Sequence, residues 1–225
     1  MDAGAAQPGW WERHRQSHRA AELAKEEAAW DAQVAPVREM ARLAHDWTGD
    51  PVPPEAGILG KPGERAYLVL DGAALIEPRR LPGHWQGGSQ GVSIPIYHGV
   101  RYRVGSTKGT YVQGEEVPTP VDTGVVMISD QRTVFAGSKQ TREWLYQKLV
   151  GFHHDPEHPW TALQVSNRQK TSGILYTEDT EVTVRFRLEL AIAQFRGTRA
   201  EFAASVDSQL DALLAAEPRT HEGPP

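Results

Sequence analysis

The sequence predicts a mainly β chain flanked by α-helices. Three observations predict it. Apolar residues recur at helical spacing near both ends. From Glu64 the period changes to two, with turn residues every several positions. A Pro- and Gly-rich segment separates the first zone from the second.

Residues 1–48 form a predicted helical arm. Ala, Glu, Arg and Gln dominate it, and all four are good helix formers. Trp30, Val34, Val37, Met40 and Trp47 lie on one stripe that is too apolar to stay bare. The expected cover is a protein partner, a second copy of the chain, or the chain's own β body. Pro36 lacks an N–H and is expected to kink or split the helix. Trp10 and Trp11 beside Arg13 and Arg15 suggest an interfacial anchor. Glu12, Glu22, Glu26, Glu27 and Asp31 argue instead for packing on protein. Residues 49–63 hold four Pro and four Gly and read as a stiff linker.

Residues 64–217 form the predicted β-rich domain with its C-terminal helices. Strands are expected at 66–70, 73–77, 92–96, 100–104, 122–128, 133–136, 143–146, 149–152, 161–165, 174–176 and 182–186. In the strand at 122–128, Val125 and Met127 face one way and Val126 and Ile128 the other. Neither face is therefore freely solvated. Trp144, Phe152 and Trp160 are expected to supply core volume. Leu188, Ile192, Phe195, Phe202, Val206 and Leu210 form a helical stripe, broken at Gly197. Thr198 and Glu201 have the spacing of a capping box that opens a second helix. Residues 218–225 read as a disordered tail.

Composition excludes several function classes. The 225-residue chain has no Cys, which removes disulfide scaffolds and thiol catalysis. No apolar run reaches membrane-spanning length, and no secretory signal opens the sequence. The net charge is −5, which disfavours nucleic acid. That acidity sits in the helical ends, and the β centre is nearly balanced. A cytoplasmic chain is expected, either free or peripheral to the inner face of the membrane.

The segment Thr123–Gly137 opens with Gly and an apolar strand, turns through Ser129–Arg132, and returns through Val134 and Phe135. A polar loop at 138–141, Glu143-Trp144 and Lys148–Gly151 follow. This resembles the hairpin of the GRAM and bacterial PH-like superfamily, Gly-x-φ-x-φ-Thr-x-x-Arg-φ-x-Phe, where φ is apolar. Ser129 stands where that hairpin usually has Thr. The likeness covers residues 121–197. It implies a PH/GRAM-like β-barrel or sandwich, two curved sheets closed at one end by an amphipathic C-terminal helix.

The function expected is non-catalytic: a binding or scaffold protein with no cofactor, working through the barrel and the arm. One alternative is an anionic-lipid module. Arg132, Lys139, Arg142 and Lys148 cluster on the hairpin, and Arg and Lys can hold phosphate. Asp130 and Glu143 among them favour the plainer reading of solvated hairpin charges. The Gly-rich loop 81–91 adds His84 and Trp85, beside Arg79 and Arg80, as a candidate ligand-contacting lip. A second alternative is a serine hydrolase, because Gly87–Gly91 spells a nucleophile elbow around Ser89. The elbow needs a helix after the Ser, and strand-like residues follow here. His153, His154 and His158, with Asp155 and Glu157, carry metal-type donors. Pro156 and Pro159 argue for a polar loop rather than a helical ligand pair.

Overall fold

The computed structural model describes residues 9–80, 82, 84–86, 92–97, 100–104, 110–112 and 116–216. The chain opens with α1 (Trp10–Asp46) and a two-residue strand, β1 (Asp50–Pro51). Then come β2 (Arg65–Arg80), β3 (His84–Gln86), β4 (Val92–Tyr97), β5 (Val100–Val104), β6 (Thr110–Val112) and β7 (Glu116–Ser129). The series continues with β8 (Arg132–Gly137), β9 (Thr141–Leu145), β10 (Leu149–His154), β11 (Trp160–Val165) and β12 (Ser172–Leu175). Two helices follow, α2 (Glu178–Arg196) and α3 (Arg199–Ala215).

The main sheet is antiparallel and eight-stranded, ordered β10-β11-β12-β2-β7-β8-β9, with β1 added to β2. Its spine is the pairing of β2 with β7, from Ala66↔Ser129 to Arg80↔Glu116. The two edge strands, β9 and β10, follow each other in sequence through a single 3₁₀ turn, Tyr146–Lys148. The sheet therefore curls to bring its edges near each other. No ladder joins β9 to β10 among the described residues, so the sheet is open. Between β2 and β7 the chain makes two separate pairs, β3 with β6 and β4 with β5.

Several elements differ from expectation. Residues 66–70 and 73–77 are one strand, because Asp71-Gly72 makes a bulge and not a turn. Gly72 takes φ +74, and the β2–β7 register shifts between Leu70 and Ala73. Val182–Phe186 is helical. Thr180 Oγ1 accepts the Thr177 N–H at 3.3 Å, and Glu178, Asp179 and Glu181 suit the positive end of the helix dipole. Packing from Val184 through Ala193 outweighs the strand preference of the β-branched residues. The capping box at Thr198 is absent, since its side chain makes no cap bond. Gly197 does end α2, at φ +73. Its N–H bonds Gln194 and the Thr198 N–H bonds Ala193, which is a Schellman motif.

α1 runs through Pro36 without a break. Tertiary contacts hold both sides of the proline. Val34 is buried before it, and Ala41, Leu43 and Ala44 after it. These last three share a core with Ala203 and Val206 of α3, and Met40 and Trp47 pack on its border. Trp47 stacks edge-on with Tyr67 at 4.9 Å and carries the Arg187 guanidinium over its ring at 4.1 Å. Val37 and Trp30 are half-buried. The base of the arm thus docks on its own chain. The outer turns do not: Trp10, Trp11 and Leu23 are exposed.

The sheet is covered on both faces. Leu75, Val126, Ile128, Phe135, Trp144 and Ile174 form the inner core with α2. On the other face Met127 and Val134 lie under Ile58, with Val125 and Val52 at the margin. Residues 49–63 therefore do more than link. They lie against the sheet, and a buried ion pair fixes them there. Arg132 donates to Glu64 at 2.8 and 2.9 Å and to the Leu59 carbonyl at 2.7 Å.

Candidate functional site

Along β2 the residues at 73, 75, 77 and 79 share one face, because strand side chains alternate. Ala73 and Leu75 are in the inner core, and Glu77 and Arg79 continue the same line beyond it. Arg142 does likewise on β9, two residues from fully buried Trp144 and paired in register with Phe135. The interior of the curved sheet thus passes from apolar to charged toward this end. Tyr67, at the other end of β2, lies about 33 Å away at strand rise.

A pocket of about 430 Å³ occupies the charged end, with Glu77, Arg79, Arg142, Arg168, Lys170 and Ser172 in its wall. Four cations face one carboxylate. Glu77 takes two bonds from Arg142, at 2.8 and 2.5 Å, and lies 3.6 Å from Arg79. Lys170 bonds Glu116 at 2.9 Å, and Arg80 reaches the same oxygen at 3.3 Å. Arg168 donates from Nη2 to the Glu143 carbonyl at 2.7 Å, but its Nη1 is buried with no hydrogen-bond partner. Burial, and then the nearby Arg142 charge, push its pKa below the ordinary arginine value. An anion in the pocket would offset the crowding of the Arg142 and Arg168 charges. Guanidinium groups bind phosphate and carboxylate oxygens in pairs, and this volume suits a small ligand.

A larger groove, of about 570 Å³, lies along residues 51–65. Its wall is mostly Pro, Gly and aliphatic groups, and nothing in it converges on a ligand. The chemistry therefore favours the smaller pocket.

The structure brings together only part of the residue set read from sequence. Arg79 and Arg142 line the basic pocket, and Arg80 shares Glu116 with Lys170. Arg132 is buried under residues 49–63 and is consumed by Glu64 and Glu143. Lys139 and Lys148 are exposed, and neither lines the basic pocket. Lys139 instead gives its backbone N–H, at 2.8 Å, to Asp122, which also accepts from Gln140, Thr123 and Ser138. Burial opposes the charge on Asp122, yet these donors hold its carboxyl below the usual range. His84 and Trp85 pair in register with Val112 and Tyr111. Ser89 lies outside the described residues, as do residues 217–225.

The histidines scatter. His153 is exposed. His154 bonds Thr161 Oγ1 at 2.7 Å, and Thr161 contacts Tyr176 OH at 2.8 Å. His158 pairs with Asp155 at 3.1 Å. Among the described residues, no group of three or more His, Asp or Glu side chains could hold a metal ion.

Sequence reading missed Arg168 and Lys170. They sit in the β11–β12 connection among Ser, Asn, Gln and Thr, where isolated basic residues look like ordinary solvated loop. Only the β12–β2 register, Gly173↔Ile76 to Leu175↔Ala74, carries them beside Glu77 and Arg79.

No helix among the described residues is long and apolar enough to cross a membrane. No family model matches the chain, and no curated protein or solved structure matches it.

Proposed function

We propose that this chain is a non-catalytic binding module of the PH/GRAM-like kind, which takes an anionic group between Arg79, Arg142, Arg168 and Lys170. The observation that carries the reading is one pocket with four cations and one carboxylate in its wall. Cations so gathered repel one another until an anion lies among them, and a phosphate or carboxylate group is the natural one. The PH/GRAM-like part rests on the hairpin motif, on the curl of the main sheet and on the buried side of α2 against its inner face. The exposed outer turns of α1 give the module a second surface, for a protein partner, which makes it a scaffold.

The anionic group could belong to a free ligand or to a lipid headgroup. Two measurements separate these sources. Calorimetric titration with inorganic phosphate reads the pocket alone. Sedimentation with phosphatidylcholine vesicles, with and without phosphatidylserine, reads a membrane surface. Arg168→Ala and Lys170→Ala are each expected to weaken anion binding about tenfold or more, since a charge-assisted hydrogen bond contributes about 1.5–3 kcal/mol. Added salt should weaken it too. Binding that ignores salt and both variants would refute the reading, as would no binding of either probe.

A further inference from the structure

The outer part of α1 carries a feature that the anion pocket does not involve. His14 and His18 are one turn apart, so their side chains share a face of the helix. Their Nε2 atoms lie 3.3 Å apart. Trp10 stacks flat on the His14 ring, at an interplanar angle of 5° and 5.4 Å between centroids. The His18 ring meets His14 edge-on, at 88° and 4.6 Å. Both histidines are exposed.

We propose that His14 and His18 form a two-histidine chelate for a divalent transition ion of the zinc, nickel or copper(II) class. Zinc–nitrogen bonds are about 2.0–2.1 Å long, so two of them at a tetrahedral angle span about 3.3–3.4 Å between nitrogens. The observed separation matches that span without any change of backbone. Imidazole is a good ligand for these ions, whereas magnesium and calcium prefer oxygen. The Trp10 stack restrains the His14 ring, which lowers the ordering cost of binding. Exposure leaves the remaining coordination positions open to water. Bound ion would tie two successive turns of α1 together and stiffen a part of the arm that lies exposed.

The test uses the full chain and metal chlorides alone, in a buffer that does not coordinate metal. Calorimetry with zinc and with copper(II) should give one equivalent, and far-ultraviolet circular dichroism should show helix content rising with it. His14→Ala and His18→Ala should each weaken that equivalent on the order of 100-fold, because the second nitrogen acts as a tethered ligand. The chain has nine histidines, so a His153→Ala/His158→Ala variant serves as control and should bind as the parent does. Undiminished binding in a His14→Ala/His18→Ala double variant would overturn the proposal. So would a parent chain that takes up no metal. Neither result bears on the anion pocket, which phosphate reads separately.

Discussion

The Arg199 guanidinium donates from Nε to the Ala44 carbonyl at 2.7 Å, joining the first turn of α3 to the last turn of α1 across 155 residues. Its Nη2 bonds the carbonyls of Leu43 and Trp47 as well, at 3.1 and 2.9 Å. A helix ends with carbonyls that lack intrahelical partners, and here one side chain from another helix supplies the donors.

Arg199→Ala should therefore loosen the arm more than the β body. The expected cost is about 1–3 kcal/mol for the donors lost to partly buried carbonyls. Hydrogen exchange should quicken for amides in residues 34–48 and change little in β7 and β8. Arg199→Lys, which keeps the charge but not the fork, should fall between. Equal exchange in the variant and the parent would show that apolar packing alone holds the arm.

Arg132 and Glu64 form a buried pair, with the Glu64 side chain fully covered and that of Arg132 only 10% exposed. Removing one partner strands the other. Arg132→Ala is expected to lower unfolding free energy by roughly 3–5 kcal/mol in urea denaturation. An Arg132→Met/Glu64→Leu variant should recover much of that loss, because it leaves no lone charge. A double variant as unstable as Arg132→Ala would place the effect in lost packing instead.

Acid stability follows from four carboxyls. Four backbone or side-chain donors, the Glu157 N–H foremost, hold Asp155 down to about 2 against some burial. Burial opposes the charge on Asp122, Glu64 and Glu143, but their hydrogen bonds and ion pairs outweigh it and lower all three. A depressed folded-state pKa contributes stability that is present above the unfolded value, about 4, and lost as pH falls through the folded one. The denaturation midpoint should stay level above about pH 5 and drop between about pH 4 and 2. Asp155→Asn and Asp122→Asn should each flatten that drop. A variant with the parent's slope would remove that residue from the account.

The hairpin at 122–137 was legible, because Val125 to Ile128 alternate with no polar face and Ser129–Arg132 can turn the chain, whereas the start of β7 at Glu116 was not. The stop at Gly197 was legible for a similar local reason. Gly72 was not, since an Asp-Gly pair inside a β pattern serves a turn or a bulge equally well. Val182–Phe186 misled because β-branched and aromatic residues suit strands, and its helix depends on burial that only the finished fold supplies. The basic pocket was half legible. Arg79 and Arg142 stood out beside candidate loops, but their neighbours arrive through strand pairing. Arg132 looked like a surface cation because its counter-charge, Glu64, lies 68 residues away.

The pairing of α1 with α3 also sets an order in time. A ribosome working at about 5–20 residues per second needs roughly 8–30 s to pass from Ala44 to Arg199. Through that interval Val34, Ala41 and Leu43 have no α3 to cover them. The sheet waits as well, since β2 meets β12 only after β3 to β11 have emerged. Those apolar side chains thus stay uncovered for many seconds, and a chaperone that masks such surfaces would find its substrate in the first fifty residues.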